Sequence, residues 1–187
     1  MIAGLVLAAG AGTRFGGAIK QLAPLRGRPL LEHAVESMRA VPALDPVLVV
    51  LGHAADEILR AAELGGAQVV VCDEWARGQS ASLRCGVAAL AGADAVVVTL
   101  GDQPFITPQV IAGALDRLDG YDAVRTLYGG VPGHPVVLGR PVLDAVAELH
   151  GDQGARELLK TFHVKRWEAG HLASAADVDT QEELSRL

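Results

Sequence analysis

Residues 1–21, MIAGLVLAAGAGTRFGGAIKQ, decide the fold. From Ala3 to Ala8 the run is apolar with no polar alternation, the pattern of a strand buried on both faces. It ends in LAAGAGTRFGGAIKQ, Leu7 to Gln21, which sets Gly10, Gly12, Gly16 and Gly17 between a buried strand and the next helical pattern. Glycines let backbone N–H groups approach an anion closely. Arg14 and Lys20 bring two positive charges to the same loop, which suits a polyphosphate better than a plain turn; the alternative is a solvated loop. Two known phosphate motifs are excluded. The dinucleotide fingerprint needs a third Gly where Phe15 stands, and the P-loop needs Gly-Lys followed by Ser or Thr, whereas Lys20 is followed by Gln21.

Outward from this stretch, apolar runs recur at Pro46 to Leu51, Gln68 to Val71 and Ala95 to Leu100. Helical patterns follow at Leu30 to Ala40, Ala55 to Leu64, Ser80 to Leu90 and Pro108 to Leu118. Alternating strands and helices predict an α/β chain with a mostly parallel sheet covered on both faces. A less regular part follows, with strands predicted at Ala123 to Leu127, Pro135 to Leu138 and Val164 to Trp167, and helices near Pro141 to Leu149 and Ala155 to Thr161. The Gly and Pro cluster from Gly129 to Pro135 reads as a loop.

Ligands of such sheets bind outside the carboxyl ends of the strands. There the strand Ala95 to Leu100 runs into Gly101 and Asp102, so Asp102 is placed to hold Mg²⁺ through oxygen, or else to form an Asx-type turn or cap the helix after Pro104. Near the end, Asp177 and Asp179 alternate before a short helix, Gln181 to Arg186, so both point the same way if the segment is extended. Asp179 is the second metal candidate. Either Asp179 or Thr180 serves as the N-cap.

Half of the 187 residues are apolar, enough for one substantial core, so a single domain spanning 1–187 is expected. A net charge of -6 argues against a general grip on nucleic acid or an anionic membrane. The scarcity of aromatic residues argues against a base-stacking platform. Cys72 and Cys85 lack metal-site spacing and read as buried thiols. With no secretory signal pattern and no membrane-length apolar run, a cytoplasmic protein is expected.

Taken in order, LAAGAGTRFGGAIK, GQSASLRCG, LGDQP, GHPVVL, GDQGAR and DVDTQEEL resemble the MobA-like nucleotidyltransferases of molybdenum cofactor synthesis. His134, Pro135 and GDQGAR look more like the cytidylyltransferase branch than the guanylyltransferase branch. The resemblance implies a three-layer Rossmann-like fold, with the nucleotide on the N-terminal half and a pterin-phosphate acceptor on the C-terminal half. It implies that Gly10, Gly12, Arg14 and Lys20 contact phosphates and that Asp102 with Asp179 holds Mg²⁺. Gln79, Ser80 and Ser82 would lie near base and ribose, and Ser80 would also N-cap its helix. His134, Asp152 and Arg156 would face the acceptor, against plainer readings as a packed loop His, an N-cap and a surface Arg.

Base choice is implied by Leu7, Ala8 and Ala9. Cytidylyl members tend to read TAAG and guanylyl members LAGG; in LAAG, Ala9 matches the first and Leu7 the second. The expected donor is CTP, with GTP the alternative, and a molybdoenzyme would receive the product. Rivals are a methylerythritol phosphate cytidylyltransferase, whose opening is similar but whose Asp-Ala-Ala-Arg-Pro motif is absent, and a sugar-phosphate nucleotidyltransferase. A noncatalytic carrier of nucleotide or cofactor is the rival from another class. Nothing resembles a flavin or nicotinamide site.

Overall fold

The buried run at the start forms β1 (Ile2–Leu7), and the chain then builds strands on either side of it. The computed structural model describes residues 1–146, 157–170, 172 and 180–185. A short antiparallel pair, β2 (Pro24–Leu25) and β3 (Arg28–Pro29), leads into α1 (Leu30–Arg39). Then come β4 (Val47–Leu51), α2 (Ala55–Ala61), β5 (Gln68–Val71), α3 (Gln79–Ala89), β6 (Ala95–Leu100) and α4 (Pro108–Leu115). The second part contributes β7 (Ala123–Tyr128), β8 (Val131–Gly139), α5 (Arg140–Ala145), β9 (Val164–Glu168) and α6 (Gln181–Ser185).

The seven-stranded sheet runs β5-β4-β1-β6-β8-β7-β9. Only β8 is antiparallel to its neighbours. From β1 the chain winds outward through β4 and β5 and then returns to β6 on the other side. The carboxyl ends of β1 and β6 therefore flank a topological switch point, where such sheets open a crevice for ligands.

Both faces are covered. Leu31, Val35 and Met38 of α1, Ile58 of α2 and Ile111 of α4 pack with Val6, Val49, Val97, Val124 and Val137 of the sheet. On the opposite face Leu83 of α3 with Val142 and Leu143 of α5 pack with Leu5, Val50, Val98 and Val136. Helix α3 lies so close that a Cβ on Gly86 would fall 2.6 Å from Leu5 Cδ1 and 2.9 Å from Val50 Cγ2. Overpacking of this kind costs about 2 kcal/mol. Gly86→Val is accordingly expected to lower the melting temperature by about 4–8 °C for a chain of this size, as differential scanning calorimetry would read. An unchanged melting temperature would refute the close approach.

Four expectations need correction. The segment from Gly129 to Pro135 is not a loop: Gly129 (φ 58°) and Gly130 (φ 80°) make a two-residue turn, and β8 begins at Val131. Positive φ at both central residues is the hairpin geometry that twisted strands prefer. The prolines are tolerated because β8 pairs with β6 only from Val136 onward, leaving residues 131–135 with a strand neighbour on the β7 side alone. Ser80 does not cap α3; Gly78 is the N-cap, and Ser80 is the second helical residue, fully buried. Asp102 does not cap α4 either, since Thr107 does so through Oγ1, 3.4 Å from Val110 N. Cys72 is buried, but Cys85 is only half-buried, its thiol pushed up to about 11 by burial.

Thr180 caps α6 reciprocally with Glu183, each accepting the other's backbone N–H, at 3.1 and 3.0 Å. Leu184 packs against a small cluster of Phe15, Ala23, Leu25 and Leu30, which anchors α6 to the first loop. The expectations for Asp152, Arg156, Asp177 and Asp179 lie outside the described residues. Among the described residues no helix is long and apolar enough to cross a membrane.

Candidate nucleotide site

The loop after β1 turns sharply at Gly12, whose φ of 57° is left-handed. A Cβ there would also sit 2.9 Å from the Lys20 Cβ, so Gly12 lets the loop fold down over Lys20. Thr13–Phe15 then form a 3₁₀ turn whose Phe15 is buried in the small cluster. Gln21 fixes the loop from beneath: its Nε2 donates to the carbonyls of Ala8 and Gly10, both at 2.9 Å. Buried at 6 % exposure, this amide replaces hydrogen bonds that the irregular backbone cannot make for itself.

Lys20 is not a solvated loop cation. It is buried, and its Nζ donates to Asp102 Oδ2 at 2.6 Å, joining the first loop to the end of β6. The other carboxylate oxygen, Asp102 Oδ1, is buried and has no hydrogen-bond partner among the described residues. A buried unsatisfied carboxylate oxygen is costly. Its position beside the cleft suits an oxygen-seeking divalent cation, which commonly takes one or two carboxylates plus substrate phosphates. Among the described residues no group of three or more His, Cys, Asp or Glu is placed to hold a metal unaided.

Two adjoining cavities share Leu7, Gly10 and Asp102 and so form one cleft. The first, about 260 Å³, is lined by Ala8, Gly12, Thr13, Lys20, Gln21 and Gly101 besides the shared residues. The second, about 330 Å³, adds Ala9, Trp75, Gly78, Gln79, Ser82 and Leu100. Trp75 is held against the end of β4, where a Cβ on Gly52 would lie 2.5 Å from the Trp75 Cβ and 2.8 Å from the Ala9 carbonyl oxygen. The edge-on contact between His53 and Trp75, at 5.2 Å, fixes the indole further.

Leu7, Ala8, Ala9, Gly10, Gly12, Lys20, Gln79, Ser82 and Asp102 therefore converge on the cleft. Ser80 does not line it. Arg14 lies in the 3₁₀ turn, and its side chain is outside the described part of the structure. His134 stands on β8, away from the lining of this cleft, half-buried, with its pKa pushed down to about 3 by burial and by the charge of Arg125. Gln21, Trp75 and Thr13 are cleft residues that the motifs did not single out. A polar side chain directly after Lys20, before an apolar pair, was the available signal for Gln21.

A parallel α/β sheet with a glycine-rich, Lys-bearing loop facing a strand-end carboxylate across the switch point defines a nucleotide-handling enzyme of the nucleotidyltransferase fold. Residues 4–169 match the MobA-like NTP transferase domain, and the chain belongs to that family. It is 34 % identical to nicotine blue oxidoreductase of Paenarthrobacter nicotinovorans over all of this chain and 96 % of that one. A 2-C-methyl-D-erythritol 4-phosphate cytidylyltransferase of Cereibacter sphaeroides is 36 % identical over 72 % of this chain, which spans 58 % of that enzyme. Among solved structures, Rv0371c of Mycobacterium tuberculosis superposes with a TM-score of 0.88 at 33 % identity, covering 99 % of this chain and 95 % of the other. A further structure of Rv0371c is a complex with manganese, with a TM-score of 0.84 at 32 % identity over 100 % and 97 % of the two chains.

Proposed function

We propose that this chain transfers CMP from CTP to the terminal phosphate of a molybdopterin-type acceptor and releases pyrophosphate. The observation that carries the reading is the half-satisfied Asp102, with Lys20 on one oxygen and the other oxygen buried beside the cleft without a partner among the described residues. Asp102 and Asp179 are the proposed holders of Mg²⁺. When bound, the ion supplies Lewis-acid neutralisation of charge on the phosphate oxygens.

Backbone N–H groups at Gly10 and Gly12 would receive the phosphates, with Lys20 and Arg14 as cations. Leu7, Ala9, Trp75, Gln79 and Ser82 would enclose base and ribose. A phosphate oxygen of the acceptor attacks the α-phosphorus in line; the bond from that phosphorus to the bridging oxygen breaks, and pyrophosphate leaves with the electron pair. No side-chain nucleophile is needed, because positioning and electrostatics carry such transfers. His134, Asp152 and Arg156 would meet the acceptor, and a molybdoenzyme would take the product.

Incubation with CTP or GTP, Mg²⁺ and either molybdopterin cofactor or methylerythritol phosphate tests this directly. Pyrophosphate is expected with CTP and molybdopterin. A preference for GTP moves the chain to the guanylyl branch, turnover of methylerythritol phosphate moves it to that pathway's chemistry, and tight nucleotide binding with no pyrophosphate makes it a carrier. The 34 % identity to nicotine blue oxidoreductase over the whole chain favours one second reading, redox conversion of a nicotine blue-type dye. Bleaching of the dye by a nicotinamide reductant, dependent on the protein, would support that reading.

A further inference from the structure

A second cavity lies beyond the nucleotide cleft on the same face of the sheet. Val98, Val136, Arg125 and Arg166 are register partners across β6, β8, β7 and β9. Directly paired residues point to one face, and Val98 and Val136 belong to the face covered by α3 and α5. Arg125 and Arg166 therefore project on the side where Leu7 and Leu100 line the cleft. There the two arginines and Lys160 line a cavity of about 290 Å³, with Pro132, Leu159 and Val164 as its apolar walls. None of these six described lining residues is a carboxylate. Lys160 is exposed, with Glu157 2.5 Å away, while Arg125 is half-buried. Two strand spacings across and two residues along the sheet separate the Arg125 backbone from Leu100, about 12 Å on the diagonal, and the Arg166 backbone, one strand further out, lies about 16 Å from it.

We infer that Arg125, Arg166 and Lys160 bind an anionic group at the far end of the acceptor, distinct from the phosphate that attacks the nucleotide. The inference rests on the nucleotidyl-transfer reading. The attacking group must sit within bonding reach of the α-phosphorus beside Asp102, whereas the arginines line a cavity that shares no described lining residue with that cleft, their backbones about 12 and about 16 Å from Leu100. An acceptor that fills both sites carries two anionic ends joined by a rigid or semi-rigid body of that length. Planar guanidinium groups suit a phosphate, a carboxylate or an anionic metal complex through paired N–H donors. His134, on β8 between β6 and β7, is held neutral by burial and by the charge of Arg125.

The test compares wild type, Arg166→Gln and the double variant Arg125→Gln, Arg166→Gln. CTP affinity and circular dichroism serve as checks on the fold, since neither arginine lines the nucleotide cleft. With CTP and molybdopterin cofactor, the double variant is expected to raise the acceptor KM about tenfold or more while the CTP KM stays within about twofold. Arg166→Gln alone is expected to give part of that effect. Turnover with an unchanged acceptor KM overturns the inference. If wild type turns over no acceptor, the transfer reading has failed, and inorganic phosphate then probes the cavity by arginine Nε–H resonances. A saturable shift in wild type that is lost in the double variant supports an anion site there, and no saturable shift overturns it.

Discussion

Asp102→Asn is expected to lower kcat for Mg²⁺-dependent pyrophosphate release by about 10³-fold, or about 4 kcal/mol of transition-state stabilisation. The substitution keeps the size of the side chain and a carbonyl oxygen for the Lys20 Nζ, so the junction between the first loop and β6 remains bridged. What it removes is the negative charge and the anionic oxygen that lies buried without a partner among the described residues. A neutral amide is a poor ligand for a hard divalent ion. The core is untouched, but the buried Lys20 ammonium loses its counter-charge, so the melting temperature without metal is expected to fall by several degrees, and activity is compared well below the transition. The thermal stabilisation that Mg²⁺ or Mn²⁺ gives wild type should vanish with the activity. Full turnover in Asp102→Asn would sink the metal assignment, and retained metal-dependent stabilisation would move the ion to other ligands.

Lys20→Met is expected to raise the KM for nucleoside triphosphate about tenfold or more and to lower kcat by about 10²-fold, since the buried cation proposed to meet the polyphosphate is lost. Its second effect runs the other way. In the nucleotide-free protein Lys20 neutralises Asp102 at 2.6 Å and so competes with a divalent ion for the same carboxylate. Removing that competitor should tighten Mn²⁺ binding several-fold in the absence of nucleotide, measured by the shift in melting temperature against metal concentration. A merely structural Lys20 would give weaker metal binding alongside a damaged fold. The opposite movement of metal affinity and activity is therefore the diagnostic outcome.

Much of this was legible in the sequence, for identifiable reasons. β1, β4, β5 and β6 are runs rich in Val, Leu and Ala, and their observed bounds fall within a residue or so of those expected. Asp102 was legible because it follows the last apolar residue of β6. Its bond to Lys20 was not, because 82 positions separate the pair and only the return of the chain beside β1 brings them together. The β7–β8 hairpin was misread because Gly and Pro normally interrupt strands; here the prolines fall where β8 has a neighbour on one side only. Ser80 was misread because Gly78 takes the capping position two residues earlier. Trp75 gave no periodic signal, since its place at the cleft depends on the missing side chain of Gly52.

The contact of Leu184 with the Phe15 cluster also bears on the order in which the cleft is completed. On a ribosome the glycine loop, β1 and β4 emerge early, yet the 3₁₀ turn after Gly12 obtains an apolar neighbour from nearly the far end of the described chain. Contacts so distant in sequence form late, after the loop-closure entropy between them has been met. The nascent chain would therefore carry an assembled sheet before it carried a settled phosphate loop. Nucleotide capture would become a late event of synthesis rather than an early guide to folding.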